Sequence, residues 1–162
     1  VEVMEKLKIL SQFGIHSIEQ PIKQRQWEKM AEVCDNSPIP IALDEDLVGM
    51  TEREKIRELL DKINPQYIIL KPSLLGGFKQ SSIFIQEAEN ANVGWWITSA
   101  LEANIGLNAI AQWTFTLGNT MPQGLGTGQV FTNNIISPLS IINATLHYNP
   151  EVEWKLERVI DG

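Results

Sequence analysis

Apolar positions along this chain switch repeatedly between helical spacing and strand alternation. Val3, Met4, Leu7, Ile9 and Leu10 open an amphipathic pattern that predicts a helix over 2–13, ending before Gly14. Residues 15–19 read as a strand stopped by Pro21, 24–35 as a helix and 39–44 as a second strand. Thr51 and Glu54 stand at capping-box spacing and predict a helix over 51–63. A strand over 66–71 is stopped by Pro72, and a helix over about 78–91 precedes Gly94. Then come a strand over 94–99 and a helix over about 104–117 that ends at Gly118. A Gly-rich strand or loop at 122–131 and two short strand-like pieces within 139–159 complete the pattern. In the last piece Val152, Trp154 and Leu156 alternate onto one face.

Strands alternating with helices predict a parallel α/β fold. Four strand-like segments end in polar residues: Glu19, Asp44, Lys71, and Ser99 with Glu102 just beyond. The first four of these follow one another at 25 to 28 residues. An eight-unit barrel of about 250 residues has roughly 31 per unit, but a doubly wound sheet has similar spacing. Alternation is more informative. It groups Ile15, Ser17 and Glu19, then Pro40, Ala42 and Asp44, then Tyr67, Ile69 and Lys71 on one face. Ile18, Ile41, Leu43, Ile68 and Leu70 fall on the other, ready to pack on helices. Polar strand ends would then converge on one ligand, as in a barrel. A doubly wound sheet would show an early Gly-rich phosphate turn; the GLGTG run at 124–128 comes late and in the wrong register. About five β/α units fit, so the expectation is an α/β chain forming the C-terminal part of a barrel. Such a part exposes sheet edges at its first and last strands and calls for a partner segment. The uncapped helix pattern at Val1 reads as a cut inside a longer protein.

The 162 residues suffice for one ordinary core, with 43% hydrophobic and 20% charged residues. A net charge of −7 argues against nucleic acid or an anionic membrane as main partner. No apolar run approaches the ~20 residues that cross a bilayer, and no signal peptide is visible. The single cysteine, Cys34, excludes an internal disulfide and fits a reducing cytoplasm. It lies in a helix-like run and reads as a buried structural thiol.

Removing a proton beside a carboxylate leaves an enediolate with adjacent negative charges. A hard divalent cation such as Mg²⁺ stabilises those oxygens and prefers carboxylate ligands, and a lysine nearby can move the proton or hold positive charge against the anion. Glu19, Asp44 and Lys71 supply those groups. The motifs IEQP, ALDED, ILKPSLLGG, SALEANIG and GLGTG, in that order, resemble the enolase superfamily, and within it the o-succinylbenzoate synthase family of menaquinone biosynthesis. The resemblance covers nearly the whole chain. It implies metal-ligand roles for Glu19 at the fourth barrel strand and Asp44 at the fifth, and a lysine role for Lys71 at the sixth. It implies substrate contacts for Ser99 and Glu102 at the seventh strand, and backbone approach to substrate at Gly124 and Gly126 at the eighth. Residues 1–138 would be the partial barrel, from the helix after strand three, and 139–162 a segment returning toward the capping domain. The family's second-strand KxK and third-strand ligand Asp are absent, as is most of the capping domain; the Asp would lie just upstream of Val1. The family's implied acid/base is a second-strand lysine, which leaves Lys71 an electrostatic role. The implied activity is a Mg²⁺-assisted dehydration of a small-molecule carboxylate, with the missing N-terminal part of the protein as partner and this piece inactive alone.

Each residue has a plainer competitor. Glu19 could cap the following helix, and Lys71 could be solvated. Strand alternation turns Glu45 outward and leaves Asp46 in the loop, where it could cap the next helix. Ser99 and Glu102 also suit a helix N-terminus. His16 and His147 lack a ligand partner at usable spacing, Trp95 and Trp96 read as packing, and TEREKIRELLDK reads as a solvated face. Two other functions stay open: an N-acylamino acid racemase or another enzyme of the superfamily, with Lys71 as acid/base, or a non-catalytic half-barrel that only binds.

Overall fold

Ile56, Leu59, Leu60 and Ile63 recur at helical spacing and are all buried, which explains why the charged segment around them forms a helix. A computed structural model describes residues 2–126 and 130–156. The chain divides into two compact units, Val1–Trp96 and Ile97–Gly162.

In the first unit, α1 (Glu2–Leu10) runs into a 3-10 turn and ends at Gly14, whose φ of +63° suits a residue without Cβ. Then follow β1 (Ile18–Glu19), α2 (Trp27–Asn36), β2 (Ile41–Leu43), α3 (Arg53–Ile63), β3 (Tyr67–Leu70), α4 (Pro72–Leu75), α5 (Phe78–Asn90) and β4 (Gly94–Ile97), whose last residue opens the second unit. The sheet order is β1-β2-β3-β4. β1 and β2 are parallel, with Ile18 opposite Ile41, and β2 and β3 are parallel, with Ala42 opposite Tyr67. Sequential neighbours with no reversal of order are what a barrel wall requires; a doubly wound sheet reverses at a switch point. Ile41, Leu43, Ile68 and Leu70 are completely buried, as are Met30, Leu59 and Phe84 from the helices.

Several boundaries differ from those predicted, each for a local reason. β1 is shorter than 15–19 because its ladder with β2 involves only Ile18 and Glu19. α2 starts at Trp27 because Arg25 has a left-handed backbone, φ +65°. The capping box does not form: α3 begins at Arg53, preceded by an extended Glu52 with no side-chain cap. Pro72 does more than stop β3, since it opens α4 as the first helical residue.

In the second unit, α6 (Asn104–Thr116) lies between Thr98 and Gly124, which are joined by an isolated parallel bridge. A hairpin of β5 (Leu139–Ile142) and β6 (Thr145–Tyr148) begins the predicted 139–162 segment. Residues 153–156 form no strand, and Glu157, the end of the alternating VEWKLE, lies outside the described residues.

Candidate active site

Three strands of one parallel sheet deliver Glu19, Asp44 and Lys71 to the same place. Glu19 is the last residue of β1, Asp44 follows β2 and Lys71 follows β3. The Lys71 ammonium is paired with the Asp44 carboxylate and lies 3.4 Å from Glu19 Oε1. Asp44 is 4% exposed and Lys71 20%, while Glu19 is 52% exposed and reaches solvent. Partial burial, and then the neighbouring Asp44 carboxyl, hold the Glu19 carboxyl above its ordinary range despite the opposing pull of Lys71. Burial by itself would lower the Lys71 ammonium, but Asp44 and then Glu19 outweigh it and raise the group. Two carboxylates thus share a single cation. Hard oxygen donors crowded in this way fit a hard divalent cation. Among the described residues no group of three or more His, Cys, Asp or Glu side chains is placed to hold a metal.

Of the three acidic residues in DED, Glu45 is exposed, as alternation predicts. Asp46 caps no helix; it is 6% exposed and accepts hydrogen bonds from the Arg25 amide (2.6 Å) and from Gln20 Nε2 (2.7 Å). Gln20 Oε1 in turn accepts from the Asp44 amide at 3.1 Å and the Asp46 amide at 3.4 Å. Sequence reasoning missed both as parts of the site. The only signal was their place, beside Glu19 in IEQP and beside Asp44 in DED.

Ser99, Glu102, Gly124 and Gly126 belong to the second unit. Ser99 Oγ accepts from the Leu101 amide at 3.2 Å, and both Glu102 carboxylate oxygens accept from the Ala100 amide at 3.1 and 2.9 Å. These bonds fold the loop before α6 around Leu101, which has a φ of +66°. Asn104, also in SALEANIG, donates to the Ile135 carbonyl at 2.6 Å and pairs with Asn134. Gly126 borders a cavity of about 1220 Å³ lined by α6 and by hairpin residues including Ile141 and His147. Thr127 and Gly128, the rest of GLGTG, lie outside the described residues.

The remaining candidates lie at packing or exposed positions. His16 is exposed, bonds Ser17 Oγ at 3.0 Å and rests its ring 4.9 Å from that of Tyr67. Trp95 is buried, and Trp96 meets His16 edge-on and Tyr67 at a tilt. His147 is exposed on β6. Cys34 is buried, and burial, followed by the charge of Asp35, pushes its thiol up to about 12, so it stays protonated and inert. Among the described residues no helix is long and apolar enough to cross a membrane.

A sequentially ordered parallel sheet with two carboxylates and a lysine at its strand ends is the arrangement of one known family. The chain belongs to the enolase C-terminal domain-like family, which matches residues 1–148. It is 58% identical over 137 residues to an o-succinylbenzoate synthase of Desulfotalea psychrophila, a match spanning 85% of this chain and 37% of that protein. The crystal structure of MenC from Desulfotalea psychrophila LSv54 is similar at a TM-score of 0.85 and 57% identity, over 89% of this chain and 40% of that one. An N-succinylamino acid racemase of Thermus thermophilus is 31% identical over 103 residues, 64% of this chain and 27% of the relative. The chain therefore spans well under half the length of these relatives.

Proposed function

We propose that the protein carrying this chain is an o-succinylbenzoate synthase, which dehydrates a cyclohexadiene carboxylate in the cytoplasm as a step of menaquinone biosynthesis. The observation that carries the reading is the convergence of Glu19, Asp44 and Lys71 at adjacent strand ends. The identity to the Desulfotalea psychrophila enzyme supports the choice of reaction. The lone buried cysteine suits the compartment.

Glu19 and Asp44 would hold Mg²⁺, with further ligands from outside this chain. When bound, the cation supplies stabilisation of the charge that develops on the substrate carboxylate as the neighbouring proton leaves. Lys71 keeps its proton and holds a positive charge where the enediolate forms, in a partly water-excluded site where such a charge acts strongly. A separate base, contributed from outside the chain, takes the α-proton and then returns it as an acid to the β-hydroxyl, which leaves as water as the enediolate electrons form the new double bond. Ser99, Glu102 and the backbone at Gly124 and Gly126 would contact substrate.

The test is a dehydration assay on the full-length protein with Mg²⁺ and then EDTA. Turnover that EDTA abolishes is expected. Lys71→Ala should lower kcat by about 10²–10³-fold or more while leaving the circular dichroism unchanged; near-normal turnover would remove Lys71 from the mechanism. Similarity to the racemase keeps a second reading in play. Solvent deuterium entering the α-position of an N-acylamino acid, without dehydration, would establish that one instead.

A further inference from the structure

We propose that Gln20 and Asp46 are positioning residues that fix the carboxylate of Asp44 for its cation. The inference rests on the reading of Glu19 and Asp44 as metal ligands. Asp44 follows β2 with φ −133° and ψ −78° and opens a 3-10 turn over Glu45–Leu47, its carbonyl accepting from the Leu47 amide at 2.9 Å. Its amide is held by Gln20 Oε1 at 3.1 Å. Gln20 is the residue after Glu19, and its own amide donates to the Ala42 carbonyl at 2.9 Å, which extends the β1–β2 ladder by one step. One side chain therefore links the two residues that carry the proposed ligands.

Gln20 has a φ of +38° and Arg25 a φ of +65°. Left-handed backbone in residues other than glycine is strained and persists only where the surroundings over-determine it. Asp46 supplies that constraint. Its Oδ2 accepts from Gln20 Nε2 at 2.7 Å and its Oδ1 from the Arg25 amide at 2.6 Å, in a site only 6% exposed. Gln20 Nε2 also donates to the Ile22 carbonyl at 3.2 Å. The polarity is unambiguous. A carboxylate at 46 can only accept, so Gln20 must turn its NH₂ toward it and its oxygen toward the Asp44 amide. Asp46 thus orients Gln20, and Gln20 orients Asp44. Residues that hold metal ligands in this way commonly affect metal affinity by about 10–100-fold.

The experiment compares wild type, Asp46→Asn and the double variant Gln20→Glu/Asp46→Asn in the full-length protein. Asp46→Asn keeps the shape but sets NH₂ against NH₂ at position 20. The double variant moves the carboxylate to position 20, where it can accept from the backbone amides of residues 44 and 46 and from the new side-chain amide, so it restores the pairs that link positions 20, 44 and 46 and gives up only the longer bond to the Ile22 carbonyl. Mg²⁺ affinity is read by calorimetry on folded protein and Asp44 amide exchange by NMR. Asp46→Asn is expected to weaken Mg²⁺ binding by about 10–100-fold and to speed Asp44 exchange, and the double variant to recover both. A folded Asp46→Asn protein with wild-type affinity overturns the proposal, whatever its melting temperature, because the network is then only a structural tie. If Asp46→Asn does not fold, the double variant decides: wild-type affinity supports the proposal and weakened affinity overturns it. Failure of both to fold also overturns it, since the network then serves the fold alone. Wild-type protein that binds no Mg²⁺, or binding unaffected by Glu19→Gln, instead removes the metal reading on which the inference stands.

Discussion

Gly124 is constrained by its neighbour. A Cβ there would lie 2.7 Å from Thr98 Cβ and 3.3 Å from Thr98 Cα. The backbone has little room to give way, because the Gly124 amide donates to Ile97 O at 2.8 Å and the Ser99 amide to Gly124 O at 3.1 Å. Gly124→Ala is expected to cost about 1–3 kcal/mol through overpacking. For a chain of this size that lowers Tm by roughly 2–4 °C per kcal/mol, which a thermal melt followed by circular dichroism would read. An unchanged Tm would mean that Thr98 and the strand end can shift apart. The glycine thus has a packing reason of its own, separate from any approach to substrate. The sequence could show that a small residue stands at 124, but not that Thr98, 26 residues earlier, is what requires it.

The contact between α3 and α5 turns on one buried charge. Glu87 on α5 is 1% exposed and accepts from Arg53 Nη1 at 2.6 Å and Arg57 Nε at 3.0 Å, both on α3. The segment read as a solvated face is therefore solvated only in part. Glu87→Gln keeps the shape and removes the charge that both guanidiniums address. Because the two arginines can rehydrate, the loss should fall within about 1–3 kcal/mol and not reach the larger cost of stranding buried cations. Arg57→Ala should cost less, since that side chain is 56% exposed and Arg53 still holds Glu87. Urea denaturation of the variants measures both, and equal losses would contradict the ranking. What alternation and strand ends encode was readable in advance. Asp44 and Lys71 each close a short apolar run, Glu19 closes a strand-like segment stopped by Pro21, and period two assigns their face without any knowledge of neighbours. Helix interiors were readable for the same reason, as Ile56, Leu59, Leu60 and Ile63 illustrate. Contacts that join separate elements were not. Nothing near Glu87 marks it as the anchor for arginines 30 and 34 residues away, and nothing near Asp46 marks Gln20 as its partner.

The three side chains proposed to handle the cation lie together. Glu19, Asp44 and Lys71 all lie in the Val1–Trp96 unit, and they form a set with two carboxylates and one cation of its own. Mg²⁺ prefers near-octahedral oxygen coordination, and its retention depends on how many charged ligands replace water. Two carboxylates already partnered by an ammonium make a weak site, because the incoming cation must compete with Lys71 for both. The 162-residue chain is therefore expected to bind Mg²⁺ weakly and to show no dehydratase turnover by itself. The full-length protein, if it adds a third carboxylate and the base, should bind tightly and turn over. Calorimetric titration of the two, side by side, provides the comparison, with Glu19→Gln as the control that the same pair is being read in each. Tight stoichiometric binding by the chain alone would mean that Glu19, Asp44 and water suffice to hold the cation. The ligand expected from outside the chain would then have to be explained by catalysis and not by affinity.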